Sequence, residues 1–191
     1  MLRDANSTMG RLRAVTIDTR TTGGAGGASS THLTTDPKHA CAATTTWTSG
    51  AEFGQIRIGD TDDVRPNGAY LKAAGHTMRG AQRQSRWVKS PTSDAQPGDG
   101  LVECTREFAS FGEAQQGDPA EVDGSRATQT LVTDAADKGG TYTFFIAAEG
   151  KPYVLKVLYK GAAHQSTTSY SAFDKPVEVR APAAAEVLDL G

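Results

Sequence analysis

Apolar and polar positions alternate along most of this chain, the two-residue period of a half-buried strand. Val15 and Ile17 share one face of a predicted strand over 11–19. Ile56 and Ile58 oppose Gln55 and Arg57 in another over 53–59. β-Branched and aromatic residues between turn-forming breakers predict further strands over 31–35 and 41–49. Residues 21–30, TTGGAGGASS, read as a loop, because their glycines offer no side chain to bury and much chain entropy to lose.

The second half repeats the pattern. Asp123-Gly124 is a turn signal inside 121–133, and 141–148 places Tyr142, Phe144 and Ile146 on one face. Glu149-Gly150 then leads into 151–160, KPYVLKVLYK, as the second arm of a hairpin. Strict alternation puts Tyr153, Leu155, Val157 and Tyr159 on one side of that arm and Val154, Lys156, Leu158 and Lys160 on the other. Two more strands are predicted over 166–173 and 176–180, with Ala181-Pro182 closing the sheet and 186–190 a short tail.

Helical signals are fewer. Residues 1–10 read as the last turns of a helix closed by Gly10, and 76–86 as a short weak helix before 86–89. Leu101, Cys104, Phe108 and Phe111 recur at helical spacing and predict an amphipathic helix with Cys104 on its buried stripe. Residues 60–68, DTDDVRPNG, predict a solvated turn, with Asn67-Gly68 making a tight hairpin into a strand over 69–72. About ten strands at hairpin spacing and a few helices predict an α+β chain of one domain, 1–191, its antiparallel sheet carrying helices on one face.

Charge narrows the function classes. The net charge is −2, with no clustered Lys/Arg excess, which argues against nucleic acid and against a polybasic membrane patch. No run of apolar residues is long enough to span a bilayer, and 1–30 lacks the apolar core of a signal peptide. If the natural protein is exported, Met1 therefore starts a trimmed chain.

Candidate chemistry is sparse. No serine-hydrolase elbow, zinc-protease helix, phosphate-binding loop or dinucleotide fingerprint occurs, so no catalytic residue is assigned. His32, His39, His76 and His164 are scattered among polar residues and read as surface histidines. Asp60, Asp62 and Asp63 lack the Gly and terminal Glu of a calcium loop, and His39, Cys41 and His32 lack the paired spacing of a structural zinc site. No metal or cofactor is expected. Cys41 and Cys104 leave three readings open: a disulfide, two buried thiols, or a catalytic Cys beside His39 or His32.

The order of features then resembles a known group. A Cys opening a Thr-rich strand, Tyr70-Leu-Lys72, Arg86-Trp-Val-Lys89, a second Cys in an amphipathic segment, and finally GKPYVLKVLYKG, SAFDKPVEVRAP and EVLDL are similar to actinobacterial cell-envelope lipoproteins of the LppX and LprG kind. The likeness extends more distantly to the LolA and LolB lipoprotein carriers. It implies a strongly curved antiparallel half-barrel with helices on the concave face and a hydrophobic cavity between them. It also implies a Cys41–Cys104 disulfide, no catalysis, and a cell-envelope location outside the cytoplasm, with an N-terminal lipid anchor on the outer face of the plasma membrane that this chain does not carry. The departures are the missing lipidated Cys, the AAGHTMRGAQ segment after Lys72, and the glycine-rich 21–30.

The expected function is accordingly to bind a lipid or acyl chain for carriage or presentation. The cavity lining expected is Tyr142, Phe144, Ile146, Tyr153, Leu155, Val157 and Tyr159 from the hairpin, with Phe108 and Phe111 from the segment carrying Cys104. One competing expectation is a regulatory or structural envelope protein with a filled core and a protein partner; another is a secreted hydrolase.

Overall fold

The computed structural model describes residues 1–23, 27–37, 39–75, 86–94, 101, 102, 104, 108, 112–135, 137 and 139–188. Its strands are β1 (Val15–Gly23), β2 (Ser29–Asp36), β3 (Ala40–Trp47), β4 (Glu52–Ile58), β5 (Thr61–Pro66), β6 (Val88–Pro91), β7 (Glu113–Val122), β8 (Ser125–Thr133), β9 (Thr141–Ala147), β10 (Val154–Lys160) and β11 (His164–Ser171). The helices are α1 (Leu2–Met9) and α2 (Gly68–Ala73). All eleven strands form one open antiparallel sheet in the order β6-β5-β4-β3-β2-β1-β11-β10-β9-β8-β7. The result is the curved α+β half-barrel expected above.

Neighbours in the sheet are consecutive in the chain with one exception. β1 pairs with β11, so the first and last strands meet at the centre. The turn at Asp123-Gly124 has positive φ at both residues, 48° and 79°, which matches the right-handed twist of the flanking strands.

The core lies on the concave face. Val15, Ile17, Leu33, Cys41, Ala43, Ile146 and Val154 are buried there, joined by Leu2, Ala5 and Met9 from α1. The apolar residues of α1 recur on one side of the helix and pack toward β10, while Arg3 and Asp4 stay exposed.

Several expectations are corrected. Thr21, Thr22, Gly23, Ser29 and Ser30 belong to strands, because the β1–β2 ladder runs on to Thr21 opposite Ser29. Residues 61–66 are strand β5 and not a solvated turn: Asp62 and Asp63 are 1% and 4% exposed. Asn67 is a helix cap, its Oδ1 accepting the Tyr70 N–H at 2.8 Å, so Tyr70 and Leu71 lie in α2 instead of a strand. Residues 176–180 are not a strand, since β11 is already paired on both sides and positive φ at Ala172 and Asp174 turns the chain out of the sheet. Leu101, Val102, Cys104 and Phe108 are not helical, for a reason given below. Phe111 and residues 76–85 of the helix expected over 76–86 lie outside the described residues, and Arg86 is not helical.

The tail takes a role the sequence did not suggest. Val187 bridges Trp87 in parallel, with Trp87 N–H donating to the Glu186 carbonyl and Leu188 N–H to the Trp87 carbonyl. The Arg86 guanidinium donates to the carbonyls of Ala185, Glu186 and Val187.

Candidate functional site

The inner face changes character along the barrel. Successive cross-strand rows can be followed through β1, β2 and β3. Val15, Thr35 and Cys41 are buried, as are Ile17, Leu33 and Ala43 in the next row. The third row is Thr19, Thr31 and Thr45, of which the first two are half-buried; the fourth is Thr21, Ser29 and Trp47, all half-buried. Burial therefore falls steadily from the end under α1 to the opposite end.

The C-terminal hairpin follows the same gradient. Ile146 and Val154 are buried, Phe144 is 8% exposed, and Val157, Tyr142 and Tyr159 are half-buried. The third row runs unbroken from Thr19 through Thr168, Val157 and Phe144 to Thr130. Four of its threonine hydroxyls bond in pairs, Thr31 to Thr45 at 2.9 Å and Thr19 to Thr168 at 3.3 Å, while the buried Oγ1 of Thr130 has no partner among the described residues. Hydroxyls so paired are satisfied within the sheet, and this stretch of the inner face, here called the trough, presents threonine side chains together with Val157 and Phe144.

A bulge alters the predicted face of β10. Val154 pairs with Ile146 and Lys156 with Phe145, so two residues of β10 answer one of β9. Alternation resets there, and Val154 joins the core with Val157, while Leu155 does not. Tyr153 precedes the strand and still packs on the core, stacked on Phe173 with ring centroids 4.2 Å apart.

At the less buried end the trough is rimmed by aromatic rings. Tyr142 and Tyr159 lie 4.7 Å apart, and Tyr142 Oη donates to Asp137 Oδ2 at 3.2 Å. Burial and then the Asp137 carboxylate push the Tyr142 pKa up; for Tyr159 the hydrogen bond to Asp137 comes first. Both phenols stay protonated, and that of Tyr142 donates to Asp137. Across the trough, Tyr70 of α2 meets Phe53 and Trp47 at 4.8 and 5.6 Å.

The segment carrying Cys104 is fastened over the packed end. Cys41 and Cys104 form a disulfide with Cα atoms 5.5 Å apart. Thr35 Oγ1 donates to the Cys104 carbonyl at 2.9 Å. Gln55 accepts the Val102 N–H at 2.7 Å and donates to the Val102 carbonyl at 3.3 Å. Main-chain groups committed to the sheet's side chains are not free for helical bonds, which explains why Val102 and Cys104 are not helical. Gln55 also donates to Asp62, which holds the Arg57 guanidinium on both carboxylate oxygens. Sequence reading took Gln55 and Arg57 as the wet side of β4; their partners let them be buried or half-buried.

Of the expected lining, Tyr142, Phe144, Ile146, Tyr153, Val157 and Phe108 therefore belong to or pack on the inner core, and Phe108 meets Tyr170 edge-on at 6.0 Å. The threonine row was not singled out, although Thr19, Thr31 and Thr45 share the parity of Ile17, Leu33 and Ala43. The outer face holds a separate polar groove of about 380 Å³ over Asp18, Arg20, His32 and Thr44. There His32 Nδ1 bonds Asp18 Oδ1 at 2.7 Å, both exposed, with Cys41 on the opposite face. Among the described residues, no cluster of three or more His, Cys, Asp or Glu side chains could hold a metal.

Comparison with known proteins bears on the fold. No protein-family model matches the chain, and no curated protein matches it. Lipoprotein LppX of Mycobacterium tuberculosis superposes with a TM-score of 0.64 at 17% identity, covering 94% of this chain and 96% of that one. LprF from Mycobacterium bovis gives 0.64 at 11% identity, covering 96% and 95%. An uncharacterized conserved protein from Thermus thermophilus gives 0.50 at 10% identity, covering 98% and 96%. The chain thus has the LppX-like half-barrel fold expected from its sequence.

Proposed function

We propose that this chain binds a lipid or other acyl-bearing molecule along the inner trough, for carriage or presentation in the cell envelope. The observation that carries the reading is the burial gradient: the inner face is sealed beneath α1 and Cys104, yet its third and fourth rows remain largely half-buried. A sheet face lined by threonine side chains, Val157, Phe144 and two tyrosines suits an acyl chain with a polar group at the tyrosine rim. The role is one of binding and not catalysis. The exposed His32–Asp18 pair stands on the far side of the sheet from the trough, which supports that assignment.

The Cys41–Cys104 disulfide favours an oxidising, extracytoplasmic compartment. Native mass spectrometry of the purified protein, followed by organic extraction, tests the reading. Acyl-containing adducts are expected; an adduct-free mass together with side chains filling the trough at high resolution would overturn it and favour a filled-core envelope protein.

A further inference from the structure

The outer face of β8–β10 carries an apolar patch in a basic frame. Leu131 pairs with Thr143, and Thr143 with Leu158, so the two leucines project from one face about 10 Å apart, two strand spacings. They are 39% and 36% exposed, among the few large apolar side chains that face solvent. Half-buried Phe145 lies two positions along β9 on the same face. Lys156 and Lys160 flank Leu158 along β10, and Arg20 follows it across Thr167.

None of these three cations has an ion-pair partner among the described residues. Beside Leu158 the surface sinks into a depression of about 290 Å³, with Arg20 and Lys160 in its wall. Thr22, Thr141, Thr143 and Thr167 also line it, and among the described residues no carboxylate does. The nearest carboxylates in register stand outside: Asp18 is held by His32, and Glu113 lies on the edge strand beyond Thr133.

Unpaired cations and hydroxyls around a small depression suit a phosphodiester, and exposed leucines beside it suit the boundary between headgroups and acyl chains. We propose that this patch docks on an anionic lipid surface, with a phospholipid headgroup between Arg20 and Lys160 and Leu131, Leu158 and Phe145 against the interface. The depression lies toward the half-buried end of the trough, since Leu158 sits between Val157 and Tyr159. Docking would bring that end to the bilayer. The inference does not rest on the ligand reading, because the outer face stands whatever fills the inner one.

The experiment is co-sedimentation with vesicles of phosphatidylcholine alone and of phosphatidylcholine with phosphatidylglycerol, at low and high salt. Wild type is expected on the anionic vesicles only, with binding weakened by salt. Arg20→Glu with Lys160→Glu should lower the affinity about thirtyfold or more, the scale of two basic side chains at an anionic surface. Leu158→Asp should also weaken binding while its melting temperature stays at the wild-type value. The pair Lys175→Glu and Arg180→Glu makes the same change in net charge away from the patch and should bind as wild type. Absence of wild-type binding, equal binding to neutral vesicles, or an equal loss in the control pair would overturn the proposal.

Discussion

The side-chain amide of Gln55 holds both main-chain groups of Val102, accepting its N–H at 2.7 Å and donating to its carbonyl at 3.3 Å. A glutamine here does what a neighbouring strand would do, and it ties the segment carrying Cys104 to the floor of the half-barrel. Gln55→Ala should therefore destabilise the protein by roughly 2–3 kcal/mol, because buried partners on Val102 and Asp62 lose their bonds. Urea unfolding measures it.

The disulfide acts on the same segment. Replacing Cys41 and Cys104 together with Ser opens a loop with a sequence separation of 63. The chain-entropy model puts the loss at about 4 kcal/mol. Calorimetry under non-reducing conditions should show it, and reduced wild type should match the variant.

Arg57 is expected to be more sensitive than its half-buried position suggests. Asp62 is 1% exposed and takes both of its oxygens' charge compensation from that guanidinium. Removing one partner of a buried pair leaves an uncompensated charge, so Arg57→Ala should lower the unfolding free energy by about 3 kcal/mol or more. Arg57→Ala with Asp62→Ala should lose less than the single change, and a denaturation series on the three variants reads this directly.

Asp63 predicts a pH dependence of stability. It is 4% exposed, its Oδ1 has no hydrogen-bond partner among the described residues, and burial raises its pKa above the ordinary 3.8 against a lowering influence of Lys89. A carboxyl with a raised folded pKa binds more protons when folded, so its contribution to stability falls as pH rises from about 3.8 through the folded value. Asp63→Asn, which removes the buried charge and keeps the shape, should be more stable than wild type at neutral pH. The gap should close as the pH falls toward the carboxylate's ordinary range, which thermal melts across a pH series would record.

Legibility in the sequence followed local physics. Alternation identified β1, β9 and the Asp123-Gly124 hairpin, because each needs only its own two-residue period and a turn; it located β4 but reversed its sides, Gln55 being 1% exposed and Ile58 42%. It misread Asp62 and Asp63, since Asp62 looks solvated until Arg57 and Gln55 are seen across the strand, and Asp63 is buried opposite Lys89 of β6. It misassigned Leu155 because a bulge leaves no mark in the alternation of KPYVLKVLYK. The 101–111 pattern predicted a helix correctly burying Cys104, but side chains from β2 and β4 compete for the main-chain groups at Val102 and Cys104. The threonine row escaped notice because Thr reads as polar, whereas hydroxyls paired within the sheet no longer need water.

Blocking the trough tests the central claim most directly. Val157 is half-buried at the middle of the third row, between Thr168 and Phe144. Val157→Trp should fill the trough where an acyl chain would lie. Native mass spectrometry of wild type and variant, purified in parallel, should find acyl adducts on wild type and lose them in the folded variant. Adducts retained equally by both proteins, or absent from both, would contradict the account.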